Sequence, residues 1–504
     1  MPAEVWVDAF QTLAKPSVMF FLVFGVVIGA VIGALPGLSA TMGVAIMTPI
    51  TFWFSPSDGF AMLMGLWNSA IFAGGISAIL VNTPGTPASI TQSFDGYALY
   101  KQGKGGLALG INVIFSAIGG LISTFCLILL ANPIARFTVT FGPAEYFMLA
   151  LFGLSMMVAV SGGDVLKGLV VGAAGILLSC IGIDPILSVK RFTLGYTSLL
   201  AGISFIPVMI GMFGIGEVLY QIRTYRKDVA AAEMAARCEN LKLGKVIPSG
   251  KEMKKLIGPG ILYSLVATVI GAIPAAGGDI SSIICWGNAK KLSKHPEEYG
   301  KGSLEGLAVS SVANNGVIGG AMTTMMTLGI PGDSVTAILI GSLTMYGMQP
   351  GIKMFTENAS FAAQIMILMV MANLVFLVLG LLSAKISARV LNVAQPTVWT
   401  AVCLLCIVGS YALNNNFFDV TLMLAAGIAG YWFKLYGFPN GPFILGLLLG
   451  GMMESNLRRT LVMSHGRYDV FITRPISCVF FIIVLLTFFM PTAVKFLSKK
   501  RSAQ

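Results

Sequence analysis

Charge is what this chain has least of. Only 11% of its 504 residues are Asp, Glu, Lys or Arg, while 56% are hydrophobic; a soluble protein carries about 25% charged residues. A soluble globular protein is excluded, and no segment is long and polar enough to be a separate soluble domain. Histidine is scarcer still: His295 and His465 are the two, both in polar loops with no GxSxG or HExxH around them. Metal-centred and hydrolytic chemistry have little to build on. The seven cysteines are scattered, and Cys403 and Cys406, at CxxC spacing, sit in an apolar run without a partner pair, so packing is their expected role. The alternating pattern of a β-barrel is missing too, since the apolar runs at 20–35 and 479–490 are continuous. Nor does the net charge of +11 come with the basic-aromatic soluble module of a nucleic-acid binder. Glu4 and Asp8 against Lys15 make no basic leader, so the run after them is expected to stay as the first span.

What is present is a series of apolar runs. They predict an all-α polytopic membrane protein of roughly twelve transmembrane helices, at about 20 residues per span. Within 221–256 lie nine Lys or Arg against four acids, which places this linker in the cytoplasm; Lys495, Lys499, Lys500 and Arg501 do the same for the C-terminus. The linker divides the chain into an N-terminal half, 1–220, and a C-terminal half, 257–504. The second half repeats the plan of the first. Gly271-Ala272-Ile273-Pro274 matches Gly33-Ala34-Leu35-Pro36, and Gly319-Gly320 before Pro331-Gly332 echoes Gly74-Gly75 before Pro84-Gly85 with a longer spacing. Two related halves, expected to be inverted, are the usual build of a secondary transporter.

Two stretches carry the functional argument. Asn82-Thr83-Pro84-Gly85-Thr86-Pro87-Ala88-Ser89 and Leu328-Gly329-Ile330-Pro331-Gly332-Asp333-Ser334 each place Pro and Gly where a spanning helix should continue. Backbone freed inside lipid must be buried in protein or line a watery cavity. A broken helix offers amide donors and a dipole that favours an anion. Oxygens of Asn82, Thr83, Thr86 and Ser89, and of Asp333, Ser334 and Thr336, suit Na⁺ at the other lip. A plain proline kink without a ligand is the structural alternative for either break.

A second pair of breaks, or re-entrant hairpins, is expected after Pro36, with Ser39 and Thr41, and after Pro274, with Gly277, Gly278, Asp279, Ser281 and Ser282. Asp279 reads either as an ion-coupling carboxylate or as the N-cap of the next helix. Asn314-Asn315 and the looser counterpart Asn68 are amides in apolar runs, which bridge helices or bind ligand. The candidate substrate site is therefore Ser39, Thr41, Asn82 to Thr86, Ser89, Gly277, Gly278, Ser281, Asn314, Asn315 and Pro331 to Ser334, with Asp279, Asp333, Asn82 and Thr336 as ion-coupling candidates and Na⁺ possible at the same loops. Asp95, Glu305, Asp164, Lys167, Asp184, Lys190 and Arg191 are expected to be charges at the membrane interface. Glu145, Glu217, Asp419 and Glu454 stay unassigned.

At these residues the chain resembles the large membrane subunit of the tripartite tricarboxylate transporter family (TctA-type). The matching stretches are Gly33-Ala-Leu-Pro-Gly-Leu38, Gly74-Gly-Ile-Ser-Ala-Ile-Leu-Val-Asn-Thr-Pro-Gly-Thr-Pro-Ala-Ser89, Asp95-Gly96-Tyr97, the loop from Ser293 to Gly306, and Leu328-Gly-Ile-Pro-Gly-Asp333. Two places depart from the family pattern: Ser310-Ser311 stand where Pro-Glu is usual, and Ala275 follows Pro274 in place of Gly. The resemblance implies a bacterial inner-membrane permease for organic carboxylates, a symporter driven by a Na⁺ or H⁺ gradient rather than ATP. It also implies a small four-helix membrane subunit and a periplasmic solute-binding protein as partners. An ion or anion channel built on the same broken helices is the rival reading, and a membrane-embedded enzyme, lacking catalytic groupings, the third.

Overall fold

The structure, a computed structural model, describes residues 1–35, 37–160, 165–184, 187–224, 244–274, 277–384 and 395–487. The first half opens with α1 (Ala3–Leu13) and α2 (Pro16–Ala34); proline at the first helical position of α2 removes an N–H that would have no helical partner anyway. Next come α3 (Ala40–Thr51), α4 (Pro56–Val81), α5 (Ile90–Lys101) and α6 (Gly105–Thr138). They are followed by α7 (Pro143–Val160), α8 (Val165–Ser179) and α9 (Phe205–Thr224). Two-residue strands at Gly182–Ile183 and Lys190–Arg191 pair between α8 and α9. Beyond the linker lie α10 (Gly250–Ala272), α11 (Gly277–Leu292), α12 (Leu304–Leu328), α13 (Ser334–Met345) and α14 (Ala359–Ser383). The chain closes with α15 (Gln395–Asn414), α16 (Phe417–Leu435), α17 (Asn440–Met463) and α18 (Pro475–Thr487).

Among the described residues, eight helices are long and apolar enough to cross a bilayer, and α3, α8, α13 and α18 are shorter apolar ones. The protein is an all-α, multi-pass membrane protein. Pieces such as α3 and α13 are half-length because the chain turns back inside the protein, which a hydropathy profile cannot distinguish from a short span. Of the linker, 225–243 lie outside the described residues, as do Pro36, Asp164 and the basic C-terminal residues. Residues 250–256 already belong to α10, whose start is fixed by a capping box between Ser249 and Glu252.

Glycine sets the helix pairing. α2 and α4 run parallel, with Gly25, Gly29 and Gly33 backed against the carbonyls of Met62, Leu66 and Ala70. α10 and α12 repeat this, Gly271 lying on Val317 and Gly320 on Thr268. Close backbone approach is how helices associate without a hydrophobic driving force between them. The two pairs then cross head to tail: the Asn315 amide donates to the Asn68 carbonyl at 3.0 Å and the Asn314 amide to the Ile71 carbonyl at 3.1 Å. α4 and α12 are accordingly antiparallel.

The two ends of the molecule follow from this crossing. At one, the Tyr346 hydroxyl donates to the Thr51 carbonyl (2.6 Å) and the Ser57 hydroxyl to Gln364 (2.7 Å). At the other, Gln102 donates to the Lys301 carbonyl (2.9 Å), and the linker re-enters with Val246 against Gly110. The core between them is large and aromatic-rich, with Phe60, Trp67, Phe72, Phe115 and Phe376 fully enclosed.

Candidate functional site

Helix α4 ends at Val81, where Asn82 turns left-handed (φ 55°). The chain then doubles back beside its own helix, and the Gly85 amide donates to the Gly74 carbonyl at 3.2 Å. Only glycine fits at 85: a methyl there would strike the Gly33 carbonyl oxygen and lie 3.0 Å from the Gly74 Cα. Thr86 and Ser89, both buried, share a hydrogen bond of 2.7 Å, and Pro87–Ser89 winds a single tight turn into α5. Asn82 and Thr83 are exposed and Pro84 is half-buried.

The second break has the same construction 247 positions later. Gly329 stands at the place of Asn82 and is left-handed too (φ 72°). Gly332 stands at the place of Gly85, and a methyl there would lie 3.1 Å from the Gly271 carbonyl and 2.5 Å from the Ala321 Cα. Asp333 and Thr336 take the places of Thr86 and Ser89. The Asp333 carboxylate accepts from the Thr336 hydroxyl at 2.7 Å and from its amide at 2.8 Å, and the Thr336 hydroxyl in turn accepts from the Asp333 amide. Asn315 likewise stands 247 positions after Asn68, the residue it touches. In this register Ala321, not Gly319 or Gly320, occupies the place of Gly74, which removes the spacing mismatch between the two sequence motifs.

Both breaks meet the start of α11. Gly277, left-handed at φ 55°, faces the Asp333 Cβ (3.9 Å from an added Cβ), and Gly278 faces the Ala88 Cβ (3.2 Å) and the Asn314 carbonyl (3.7 Å). The buried Ser282 hydroxyl donates to the Ala88 carbonyl at 2.8 Å. Ser281 is buried, facing the Cys285 thiol, and Ser334 opens α13 half-buried beside Asp333. Pro331 is buried. Because α11 begins at Gly277, Asp279 lies in its first turn and is not an N-cap; its side chain lies outside the described residues. Ser39 caps α3 by accepting from the Met42 amide (3.1 Å), and Thr41 is half-buried one residue into that helix. The turn before them is held elsewhere, through Gln221 of α9 donating to the Gly37 carbonyl. Among the described residues, no hydrogen bond links Ser39 or Thr41 to either break.

Several buried polar residues matter, of which the sequence reading passed over Gln92, Asn112 and Asn373. Gln92 in α5, Asn112 in α6, Ser311 in α12 and Asn373 in α14 are fully buried. For Asn112 and Asn373 the signal available was a lone amide in an otherwise apolar run, whereas Gln92 stands among polar neighbours. Asp95 corrects an expectation: it is not an interface charge but is wholly buried. One of its oxygens accepts from the amides of Gly300 (2.7 Å), Gly302 (3.2 Å) and Ser303 (2.9 Å), and the other accepts from the Trp286 indole (2.8 Å). The loop before α12 covers the end of α5, and these donors replace the water an interfacial carboxylate would have had. Glu305 is half-buried and accepts from Ser293.

Asp184 and Arg191 also do more than mark an interface. With Glu454 and Arg458 of α17 they form a closed set of ion pairs, Arg458 reaching Asp184 and Glu454 at 2.8 Å each and Arg191 reaching Glu454 at 3.0 Å. Glu145 is held by Arg474 (3.1 Å) and Ser477 (3.0 Å), Glu217 pairs with Lys434, and Asp419 accepts from Asn414 (2.7 Å). Among the described residues there is no cluster of three His, Cys, Asp or Glu that could hold a metal.

No solved structure matches this chain. An uncharacterised 52.8 kDa protein from the TAR-I ttuC' 3' region of Agrobacterium vitis is 32% identical over 469 residues, 93% of this chain and 92% of the relative. An uncharacterised protein from the TAR-II ttuC' 3' region of the same organism is 32% identical over 210 residues, 42% of this chain and 87% of the relative. The description of the tripartite tricarboxylate transporter TctA family matches residues 19–445. Doubled-back helices at Pro84 and Pro331, an all-helical membrane fold and a match over most of the length agree: the chain belongs to the tripartite tricarboxylate transporter TctA family.

Proposed function

We propose that this chain is the transport pathway of a secondary active importer of an organic di- or tricarboxylate in the bacterial inner membrane. It is built of two inverted, related halves, 1–220 and 257–504, joined by a cytoplasmic linker. A Na⁺ or H⁺ gradient drives it by symport. A periplasmic solute-binding protein delivers the substrate, and a small four-helix membrane subunit completes the assembly. The carrying observation is the pair of breaks 247 residues apart, with matching turns, matching hydrogen bonds and a common neighbour in the Gly277-Gly278 start of α11. Amides at the start of α11 would receive the carboxylate, since helix N-termini favour anions. Asp333 would repel an anion and is suited to the coupling cation, which leaves Thr86 and Ser89 in the corresponding neutral position for the substrate side. Transport would move the break-bearing core against the plainer spans.

The test is uptake of radiolabelled carboxylates into proteoliposomes holding the chain, its small subunit and the cognate binding protein. Expected are saturation and an absolute need for the binding protein and an ion gradient. Asp333→Asn should cut uptake by at least roughly tenfold, the consequence of losing about 1.4 kcal/mol. A Thr86→Cys protein should be alkylated from one side without substrate and from the other with substrate and ion. Single-channel conductance in bilayers, or alkylation from the same side in every condition, would replace this reading with the channel.

A further inference from the structure

Two helices that start beside the breaks, α5 and α11, leave their outer faces uncovered. They run side by side in the same direction. The Ser282 hydroxyl donates to the Ala88 carbonyl at 2.8 Å, and four residues further along the Trp286 indole donates to Asp95 at 2.8 Å. On α5, Ile90, Phe94, Tyr97 and Lys101 fall on one face, and on α11 Ile283, Trp286 and Lys290 do the same. Both helices present one order of chemistry from start to end. Isoleucines come first, with Ile90, Ile283 and Ile284 between 40% and 52% exposed. Aromatic rings follow, the half-exposed Phe94 lying edge-on to Trp286 at 5.2 Å. Cations close the series, Lys101 standing 4.5 Å over the Tyr97 ring and Lys290 5.3 Å over the Trp286 ring. Among the described residues neither lysine pairs with an acid. Asp95, behind Trp286, is wholly buried and has its own four donors, so it offers them no partner. Residues 97–104 and 286–301 together hold six lysines against two glutamates, so this end of the face is strongly positive.

We propose that an anionic phospholipid of the cytoplasmic leaflet binds this face, its phosphate at Lys101 and Lys290 and an acyl chain along Ile90, Phe94, Ile283 and Ile284. Apolar, then aromatic, then cationic is the order of a leaflet taken from hydrocarbon to headgroup. Lysine lays its stem along apolar surface and keeps its ammonium at headgroup level, where anionic lipid attracts it. The lysines share their end of the molecule with the returning linker, through Gln102 and Lys301, which makes the leaflet the inner one. A protein helix fits this face less well. Where helices of this chain meet closely they do so through glycine, as at Gly25, Gly29 and Gly33, whereas here the rows are branched and aromatic side chains. Lipid binding at this face stands whether or not the chain carries a carboxylate.

The experiment melts the purified full-length chain in detergent with added phosphatidylglycerol, with phosphatidylcholine of the same acyl chains, or with soluble glycerol phosphate. Phosphatidylglycerol should raise the melting temperature at the lowest concentration, as a ligand of the folded state does. Glycerol phosphate, which has no acyl chain, should leave it unchanged. Lys101→Gln and Lys290→Gln should each raise the phosphatidylglycerol concentration for half-effect about fivefold, the size expected of one lysine at an anionic lipid surface. Lys353→Gln, at the opposite end and paired with Glu357 in the wild type, should not change it. Equal effects of the two phospholipids, which need no variant, overturn the proposal, and so does a phosphatidylglycerol preference that survives the double lysine variant. Cross-linking of an Ile283→Cys protein to a second copy or to another membrane protein in native membranes would replace the lipid with a protein partner. Carboxylate uptake enters none of these readouts, so their failure leaves the transporter reading as it was.

Discussion

A single hydrogen decides the geometry at Gly85. Its place against the Gly33 carbonyl and the Gly74 Cα has no room for a methyl, and forcing one in costs about 1–3 kcal/mol or more. Gly85→Ala is expected to lower the melting temperature and to abolish uptake even where the protein still reaches the membrane, because the whole break must shift. Gly103, with nothing near it and a positive φ of 76°, is the contrast: Gly103→Asn, a residue that tolerates this conformation, should leave uptake within twofold of wild type, an estimate of order 0.5 kcal/mol or less. A larger loss at 103 than at 85 in the same uptake assay would refute this ranking. Asp95 is the other residue-scale case, since its two oxygens have separate partners.

At the scale of elements, Asp95 is the tie between the end of α5 and the loop before α12, and so between the two halves. Tyr299 of that loop packs edge-on against Trp286, and burial raises its phenol far above the ordinary range, so it stays neutral at any physiological pH. Asp95→Asn keeps an oxygen for the three loop amides but sets an amide against the indole N–H. A loss of about 1–3 kcal/mol is expected. Trp286→Phe removes the opposing donor, so the double variant should lose less than the sum of the single losses. A thermal-denaturation double-mutant cycle reads this coupling; strictly additive losses would show that the indole bond contributes nothing. The α4–α12 crossing is tied more diffusely, through backbone carbonyls of Asn68 and Ile71, and a single truncation there is not expected to separate the helices.

For the whole molecule, the antiparallel crossing of α4 and α12 predicts that the two ends face opposite sides of the membrane. Gln102 and Lys301 share one end with the returning linker, and Ser57 and Gln364 share the other. In a variant freed of its seven cysteines, Gln102→Cys and Lys301→Cys should react with a membrane-impermeant maleimide only from the cytoplasm. Ser57→Cys and Gln364→Cys should react only from outside. Labelling of all four from one side would reject the inverted arrangement, whatever the transport assay reports. The closed set of Asp184, Arg191, Glu454 and Arg458 belongs to this scale too, holding the paired strands before α9 onto α17. Being largely charge-balanced and partly exposed, it is a fastening and contributes little net stability.

Composition and local pattern were sufficient for the membrane-spanning helical class and for the two interruptions at Pro84 and Pro331, because proline and glycine act on the backbone they occupy. Contact across the halves was not legible. The start of α11 lies against Ala88, nearly two hundred residues away in sequence, and Asp95 is enclosed by a loop of the other half. No periodicity encodes such pairings. Hydropathy likewise could not separate α3 and α13 from short spans, and it gave no reason to look at Gln92, whose importance comes from where the Asn112 oxygen points. Local chain chemistry settled where the helices stop; only the packing of one half on the other decided which polar groups meet, because a hydrogen bond is counted between neighbours in space.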